Sequence, residues 1–381
     1  MKTALFILTG LSIFAAFSTY IFIRGWQALE IIGHYRICYS IAFWTLTLLI
    51  ILSRVIRIPG AGWLDVLQII GSQWIAVLLY ASLLLVTLDL CRLLSRLIHL
   101  HNSYIHDHYL LAKLVLFGTV VLILTVIFVV GYRKARFPEV TALEIAVDKP
   151  AGEMKELRIA MVSDLHLGCT ASNNFLRRVV ERINELDADL VLLAGDTFDG
   201  DAEPVIRKDM GKELDRLKSR YGVFAISGNH EYIGERFEKG STRRALDYLR
   251  LHGITVLIDS TVTVNNSIRI TGRNDYSAPH RKPLAELIRQ DDPLPHILLD
   301  HQPYRLEEAQ QAGVDLQLSG HTHHGQMFPI NLITQKMYEK DWGYLQKGNS
   351  HFYISCGAGT WGPLLRTAGH SEIVFITMKF R

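Results

Sequence analysis

Apolar residues run almost unbroken through four long stretches before residue 132, then give way to short apolar runs separated by helix-patterned polar segments. Thr3 to Ile23 carries no formal charge and is long enough, as a helix, to cross a bilayer core of about 30 Å. Ile37 to Leu52 ends at Arg54 and Arg57, and a third stretch between Asp65 and Asp89 contains Gln68 and Gln73 but no charge. The fourth runs from Tyr109 to Tyr132, with Lys113 placed where its ammonium can snorkel. Buried helices of a soluble bundle would need polar faces, which these stretches lack. Lys2 resembles a signal-peptide n-region, but the first stretch is long for a cleaved segment and three more follow, so it reads as a retained span.

From Val140 onward the period changes. VTALEIAV and LRIAMVS predict two strands joined by the Lys149-Pro150-Ala151-Gly152 turn. Asn173 to Leu186 predicts a helix, because Phe175, Val179, Val180 and Ile183 recur at helical spacing. DLVLLAG, GVFAIS, HILLD and LQLS read as short buried strands, with helical stretches at Asp209 to Arg220 and Thr242 to Leu251 between them. HFYIS and EIVFITM add late strands. The alternation implies a layered α/β fold, and no internal repeat or low-complexity segment interrupts it. The expected organisation is a four-span transmembrane region over residues 1–135, a juxtamembrane segment with the first strand over 136–155, and a catalytic domain over 156–381.

Composition agrees with this division. Hydrophobic residues make up 49% and the mean hydropathy is +0.18, and the excess sits in the first third of the chain. A net charge of +3 with 20% charged residues shows no concentrated basic face, so nucleic-acid binding is not expected. The four cysteines, Cys38, Cys91, Cys169 and Cys356, form no CxxC pair, and a buried structural thiol is the expected state of the two beyond the spans. Lys2, Arg54, Arg57, Arg133, Lys134 and Arg136 flank one side of the spans; Arg24, Arg36, Arg92, Arg96 and Lys113 flank the other. The positive-inside rule then favours both termini, and the globular part, in the cytoplasm of a multi-pass inner-membrane protein. The loop LIHLHNSYIHDHY gathers His99, His101, Asp107, His106 and His108, and an interfacial structural role is the expectation for it rather than a metal site.

The candidate chemistry lies at strand ends. AMVS is followed by Asp164 and His166, VLLAG by Asp196, FAISG by Asn229, His230 and Glu231, ILLD by His301, and LQLSG by His321, His323 and His324. Neighbouring strands deliver the residues that follow them to a common edge. If the backbone stays extended, Asp164 with His166 and His321 with His323 each aim two ligands at one centre. Four imidazoles, two carboxylates and an amide carbonyl exceed the needs of one tetrahedral ion and suit two ions with a carboxylate between them.

Each motif alone is weak, but the ordered set DLH, GDTFD, GNHE, DHQP and GHTHHGQ resembles the calcineurin-like metallophosphoesterase superfamily. More narrowly, it resembles the bacterial branch that includes membrane-associated phosphohydrolases and some lipid A precursor pyrophosphatases. The resemblance spans Val140 to the C-terminus and leaves the four apolar stretches unexplained. It implies a four-layer αββα sandwich with a dinuclear site. Asp164, His166, Asp196 and His323 would hold one divalent ion, and Asp196 would bridge to a second held by Asn229, His301 and His321. His230 would serve the leaving oxygen as a general acid, oriented by Asp199. Mn, Fe, Zn and Mg all tolerate such mixed ligands.

The implied activity is hydrolysis of a phosphodiester or pyrophosphate, in a membrane-associated or lipid-linked substrate, by a bridging hydroxide. A general phosphodiesterase merely tethered to the membrane and a non-catalytic metal-binding scaffold are the alternatives. No Walker-type loop is present. Two positions depart from the family pattern: His324 stands where Gly is common and would narrow the mouth or make it more basic, and Asp300 would either tune the second ion or be solvated. In GAGTWGPLLRTAGHSE, Arg366 could meet a substrate phosphate and Trp361 could wall a pocket, with packing and a surface ion pair as the other readings.

Overall fold

A computed structural model of the chain describes residues 2–56, 60–99, 107–236, 238–289 and 291–381. The chain divides into two compact units, Met1–Val130 and Gly131–Arg381.

In the first unit the apolar stretches form helices α1 (Lys2–Ala28), α2 (Arg36–Val55), α3 (Trp63–Leu97) and α4 (Tyr109–Arg136), the last running on into the second unit. All four are long and apolar enough to cross a membrane. Only 11% of the apolar window of α4 is buried, and Leu122 and Val129 are 63% and 57% exposed. Water would penalise such a surface and lipid would not. At 35 residues α3 is about 52 Å long, so its ends outrun a hydrocarbon core of about 30 Å unless it tilts. Several charges among the helices are paired: Arg24 and Arg92 both meet Asp89, and Lys113, expected to snorkel, bonds Glu30 at 3.0 Å. His101, His106 and Arg57 lie outside the described residues.

The second unit is built on two six-stranded sheets. One runs in the order β1 (Glu139–Val147), β12 (Glu372–Phe380), β2 (Glu156–Val162), β3 (Leu190–Leu193), β4 (Val223–Ala225), β5 (Thr255–Val256). The other runs β10 (Gly343–Lys347), β11 (Ser350–Ile354), β9 (Leu316–Ser319), β8 (His296–Leu299), β7 (Ile268–Gly272), β6 (Ser260–Val264). Alternate residues sort the layers. Leu157, Ile159 and Met161 of β2 join Leu190 and Leu192 of β3 against Ile297 and Leu299 of β8 and Leu316 and Leu318 of β9, forming the core between the sheets. Ala160, Val162, Val191 and Leu193 face the other way, toward helix α5 (Asn173–Glu185), which presents Phe175, Leu176, Val179, Val180 and Ile183. Leu298, Phe352 and Ile354 cover the far face of the second sheet with Leu284, Ile288 and Leu306. The layers are thus helix, sheet, sheet, helix, the expected αββα sandwich preceded by four long apolar helices.

Two local expectations change. β1 and β2 are consecutive but not neighbours, because β12 inserts between them, parallel to β1 and antiparallel to β2. Residues 209–220 form no continuous helix, only the single turn Gly211–Leu214. Beyond that turn the Asn184 side chain donates to Arg216 O at 2.8 Å and accepts from Lys218 N at 2.9 Å, a tertiary tie that replaces the helical bonds.

The last turn of α4 is built into the sandwich. Arg366 N donates to Gly131 O at 3.0 Å and Ser371 N to Lys134 O at 3.1 Å. The Ser371 hydroxyl donates to Ala135 O at 3.1 Å, and Arg136 donates to Ser172 Oγ at 2.7 Å while its guanidinium covers the Phe175 ring.

Leu192 is fully buried between the sheets. Leu192→Ala should cost about 2–5 kcal/mol, read as a lowered unfolding midpoint of the full chain in detergent. Leu251→Ala, at an exposed helix end, should leave the midpoint in place.

Candidate metal centre

Strands β2, β3 and β4 run parallel in one sheet, and β7, β8 and β9 run parallel in the other. The residues that follow them meet at one edge, but not by extended backbone. Asp164, His166, Asp196, His321 and His323 all have positive φ, between 46° and 73°. β2, β3 and β9 thus each end in a sharp left-handed turn, which costs a residue with a Cβ roughly 1–2 kcal/mol. The expected i, i+2 alternation is therefore not what pairs these side chains; the turns are. One result is that His321 and His323 part company. His323 joins Asp164 and His166, and His321 joins Asp196 and His301. A third group of side chains, His166, Asp199 and His230, adjoins the first.

The distances are those of a shared polar centre. His166 Nε2 lies 2.9 Å from His323 Nε2, and His323 Nε2 lies 3.3 Å from Asp164 Oδ1. Asp196 Oδ2 is 3.1 Å from His301 Nε2 and 3.9 Å from His166 Nε2, which places this carboxylate between the two groups. Asn229 Oδ1 stands 2.7 Å from His321 Nδ1, and His230 Nδ1 stands 3.1 Å from Asp199 Oδ1. Every residue expected at the metal site is thus brought to one place.

The donor set fits cations. His301 Nδ1 is 2.7 Å from Ala194 O, a carbonyl that can only accept, so this nitrogen carries the proton. Its Nε2 lone pair is then turned toward the Asp196 carboxylate, and this buried nitrogen has no hydrogen-bond partner. A lone pair facing an anion is repulsive unless a cation or a proton intervenes. The two facing Nε2 atoms of His166 and His323 are likewise spaced as two ligands of one ion about 2.0–2.1 Å from each would be.

Electrostatics agree. Burial alone would raise the Asp164 and Asp196 carboxyls, but the facing histidines outweigh it, and both are held well below the usual carboxylate range. Asp199 is lowered in the same way against burial, by its bonds to His166 and His230. Burial brings His321 and His323 down to about 4, so both present neutral imidazoles. His230 is pushed up to about 9: burial opposes this, but Asp199, then the charge of Asp196, prevail. His301 is likewise raised well above the ordinary histidine value, chiefly by Asp196 acting against burial.

Two supports were not evident in the sequence. Glu231, fully buried, accepts from the backbone N–H groups of Gly228 (2.6 Å), Phe198 (2.9 Å) and Asp196 (3.2 Å), locking the GNHE turn onto the GDTFD turn. Burial and the Asp196 charge lift its carboxyl to about 7. Gly228 is required beside it, since a Cβ there would stand 2.6 Å from Asp196 N and 2.7 Å from His301 Cδ2. The second support follows β7, where TGRND supplies a sixth strand end. Asp275 there accepts both Oδ contacts from Gln302 Nε2 at 2.9 Å, and Asn274 Oδ1 accepts from Tyr232 at 2.5 Å. A glycine followed by three polar residues after an apolar run was the available signal.

Four peripheral residues take places that the sequence did not show. Arg366 is completely buried and donates to the carbonyls of Cys356 (2.6 Å), Gly359 (2.7 Å) and Gly357 (3.1 Å), with His323 Nδ1 at 3.3 Å; it braces the ligand loop and cannot meet a substrate phosphate. His324 Nδ1 lies 2.8 Å from Asp341 Oδ2, and its ring lies against Trp342. Asp300 is not solvated: it is buried against Arg281 (2.7 Å) and Arg273 (3.3 Å). Trp361 is 45% exposed, and its backbone is held by Gln326. Cys356 is the expected buried thiol, and Cys169 is half-buried.

Comparison with known proteins points the same way. The profile of the family described as calcineurin-like phosphoesterase matches residues 157–325, the segment from β2 through the GHTHHG turn. A Helicobacter pylori protein named "Uncharacterized metallophosphoesterase" is 34% identical over 248 residues, covering 63% of this chain and 64% of that protein. An Aquifex aeolicus metallophosphoesterase is 32% identical over 234 residues, covering 59% of this chain and 85% of its own length. A zebrafish (Danio rerio) "Transmembrane protein with metallophosphoesterase domain" is 31% identical over 261 residues, covering 64% of this chain and 58% of that one. The chain thus spans just under two thirds of the Helicobacter relative. It belongs to the calcineurin-like metallophosphoesterase family.

A proton and a cation compete for His301 Nε2. Mn²⁺ binding near neutral pH should therefore release on the order of one proton, and affinity should fall as the pH is lowered from 8 to 6. Calorimetry in two buffers of different ionisation enthalpy measures the release; finding none would remove His301 from the ligand set.

Proposed function

We propose that the chain is a dinuclear metal-dependent phosphoesterase that hydrolyses a phosphodiester or pyrophosphate bond in a membrane-associated or lipid-linked substrate. The observation that carries this reading is the placement of Asp196 between two His/Asp groups, with the His230–Asp199 pair at their rim. Asp164, His166, Asp196 and His323 would hold one ion; Asp196, Asn229, His301 and His321 would hold the other. Two divalent cations, drawn from Mn, Fe, Zn or Mg, would neutralise the phosphate charge and acidify a water for in-line attack.

The chain's own residues do the rest. Asp199 accepts from His230 Nδ1, which leaves Nε2–H free to give its proton to the departing oxygen. The raised pKa of His230 keeps that proton in place at neutral pH. The backbone N–H of His230 donates to Asp196 Oδ1 at 2.8 Å, so the acid and the bridging carboxylate are positioned by the same turn. Burial of Asp164, His166, Asp196 and His301 excludes bulk water from the ligands. In this reading residues 1–135 anchor the enzyme in the bacterial inner membrane and residues 156–381 carry the chemistry on its cytoplasmic side.

Full-length protein purified in detergent with Mn²⁺ should hydrolyse bis(p-nitrophenyl) phosphate. His230→Ala should lower kcat by about 10²–10⁴-fold with metal content unchanged, whereas Asn229→Ala should lose both metal and activity. A fully active Asn229→Ala protein would overturn the assignment.

A further inference from the structure

The helix Asn331–Met337 follows the GHTHHGQ turn and buries none of its residues. Leu332, Ile333 and Met337 are 49%, 57% and 63% exposed, and Phe328 before it and Trp361 beyond it are 50% and 45% exposed. These five large apolar side chains are exposed on segments that Gln326 and Thr367 bond together, more than scattered exposure would need.

This surface is tied in two directions. Toward the metal centre, Asp341 accepts from Thr334 Oγ1 at 2.8 Å and holds His324 Nδ1 at 2.8 Å, so the helix is pinned to the turn that carries His323. Toward the end of α4, Phe328 N donates to Thr367 Oγ1 at 2.9 Å, and the preceding residue, Arg366, donates its N–H to Gly131 O at 3.0 Å. Gln326 completes the tie by donating to Trp361 O at 3.1 Å and accepting from Thr367 N at 3.1 Å. Gly131 lies within the apolar helix Tyr109–Arg136. That helix is about 42 Å long, close to the roughly 40–45 Å of a bilayer with its headgroups, so its last turn ends in the interfacial layer. Arg133 and Lys134 in that turn are suited to the same depth.

We infer that Phe328, Leu332, Ile333, Met337 and Trp361 form a membrane-contacting face that dips into the headgroup and upper acyl layer of the bilayer that α4 crosses. Aromatic and aliphatic side chains on segments tied to the basic end of a span are the chemistry of an interfacial anchor, and Lys336 adds a charge that anionic lipid would meet. The consequence for specificity rests on the phosphoesterase reading: the site takes amphiphilic phosphoesters whose apolar part stays in the bilayer while the phosphate reaches the metal centre.

The test uses the full-length chain with Cys38, Cys91 and Cys169 replaced by Ser, carrying an environment-sensitive fluorophore at Ile333→Cys or, as the reference, at Leu251→Cys. In vesicles of phosphatidylcholine and phosphatidylglycerol the label at 333 should be blue-shifted and quenched by brominated acyl chains, and the label at 251 should remain aqueous. An aqueous label at 333, or a shielded one that brominated lipid does not quench, overturns the inference, the latter in favour of a protein contact. A second variant, Leu332→Glu with Ile333→Glu, should hydrolyse bis(p-nitrophenyl) phosphate in detergent at the parental rate and lose about fivefold or more on an amphiphilic phosphodiester in vesicles. Equal loss on both substrates would overturn the role in specificity. A label in lipid on a protein that turns over neither ester leaves the membrane face standing and defeats the enzymatic reading; an aqueous label on an active protein does the reverse.

Discussion

Three carboxylates, Asp164, Asp196 and Asp199, converge at one edge of the sandwich, and the first two are buried. Burying like charges together is untenable unless positive charge is buried with them. The histidines that face them can supply that charge only by taking up protons or by directing cations into the gap. This requirement shapes much of the surrounding structure. It accounts for the left-handed turns at Asp164, His166, Asp196, His321 and His323, which aim side chains that an extended strand would carry past the centre. It also accounts for Glu231, a further buried carboxylate whose partners are backbone N–H groups, and so a fastener of turns.

The division of labour between His230 and its neighbours follows from the same balance. His321 and His323 are neutral because burial dominates there, whereas His230 sits where Asp199 and Asp196 overcome burial. One set of residues therefore provides lone pairs and the other a proton, from side chains of identical chemistry a few ångströms apart.

Much of this was legible in the sequence, because strand-end position is a local property. The apolar runs before Asp164, Asp196, Asn229, His301 and His321 announced both the strands and the edge on which their next residues would meet. The four apolar stretches were equally plain, since length and the absence of polar faces are read directly. What stayed hidden depended on partners distant in the chain. Nothing in GPLLRT shows that Arg366 turns inward to brace the loop of His323, and nothing around His324 shows that Asp341 will pair with it. Asp300 read as solvated or metal-tuning because Arg273 and Arg281 lie on other segments. The insertion of β12 between β1 and β2 was equally out of reach, since a turn sequence says where the chain bends and not which strand fills the space it leaves.

The end of α4 belongs to two accounts of the molecule at once. By composition, residues 131–136 finish a membrane span; by their bonds to Arg366, Ser371 and Ser172, they are part of the sandwich. The apolar helices and the metallophosphoesterase domain are therefore not interchangeable modules joined at a neutral seam. A chimera that borrowed a different membrane region would have to keep Gly131 to Arg136 from this chain, and a soluble version cut where hydropathy falls would lose six residues that the folded domain uses as its own.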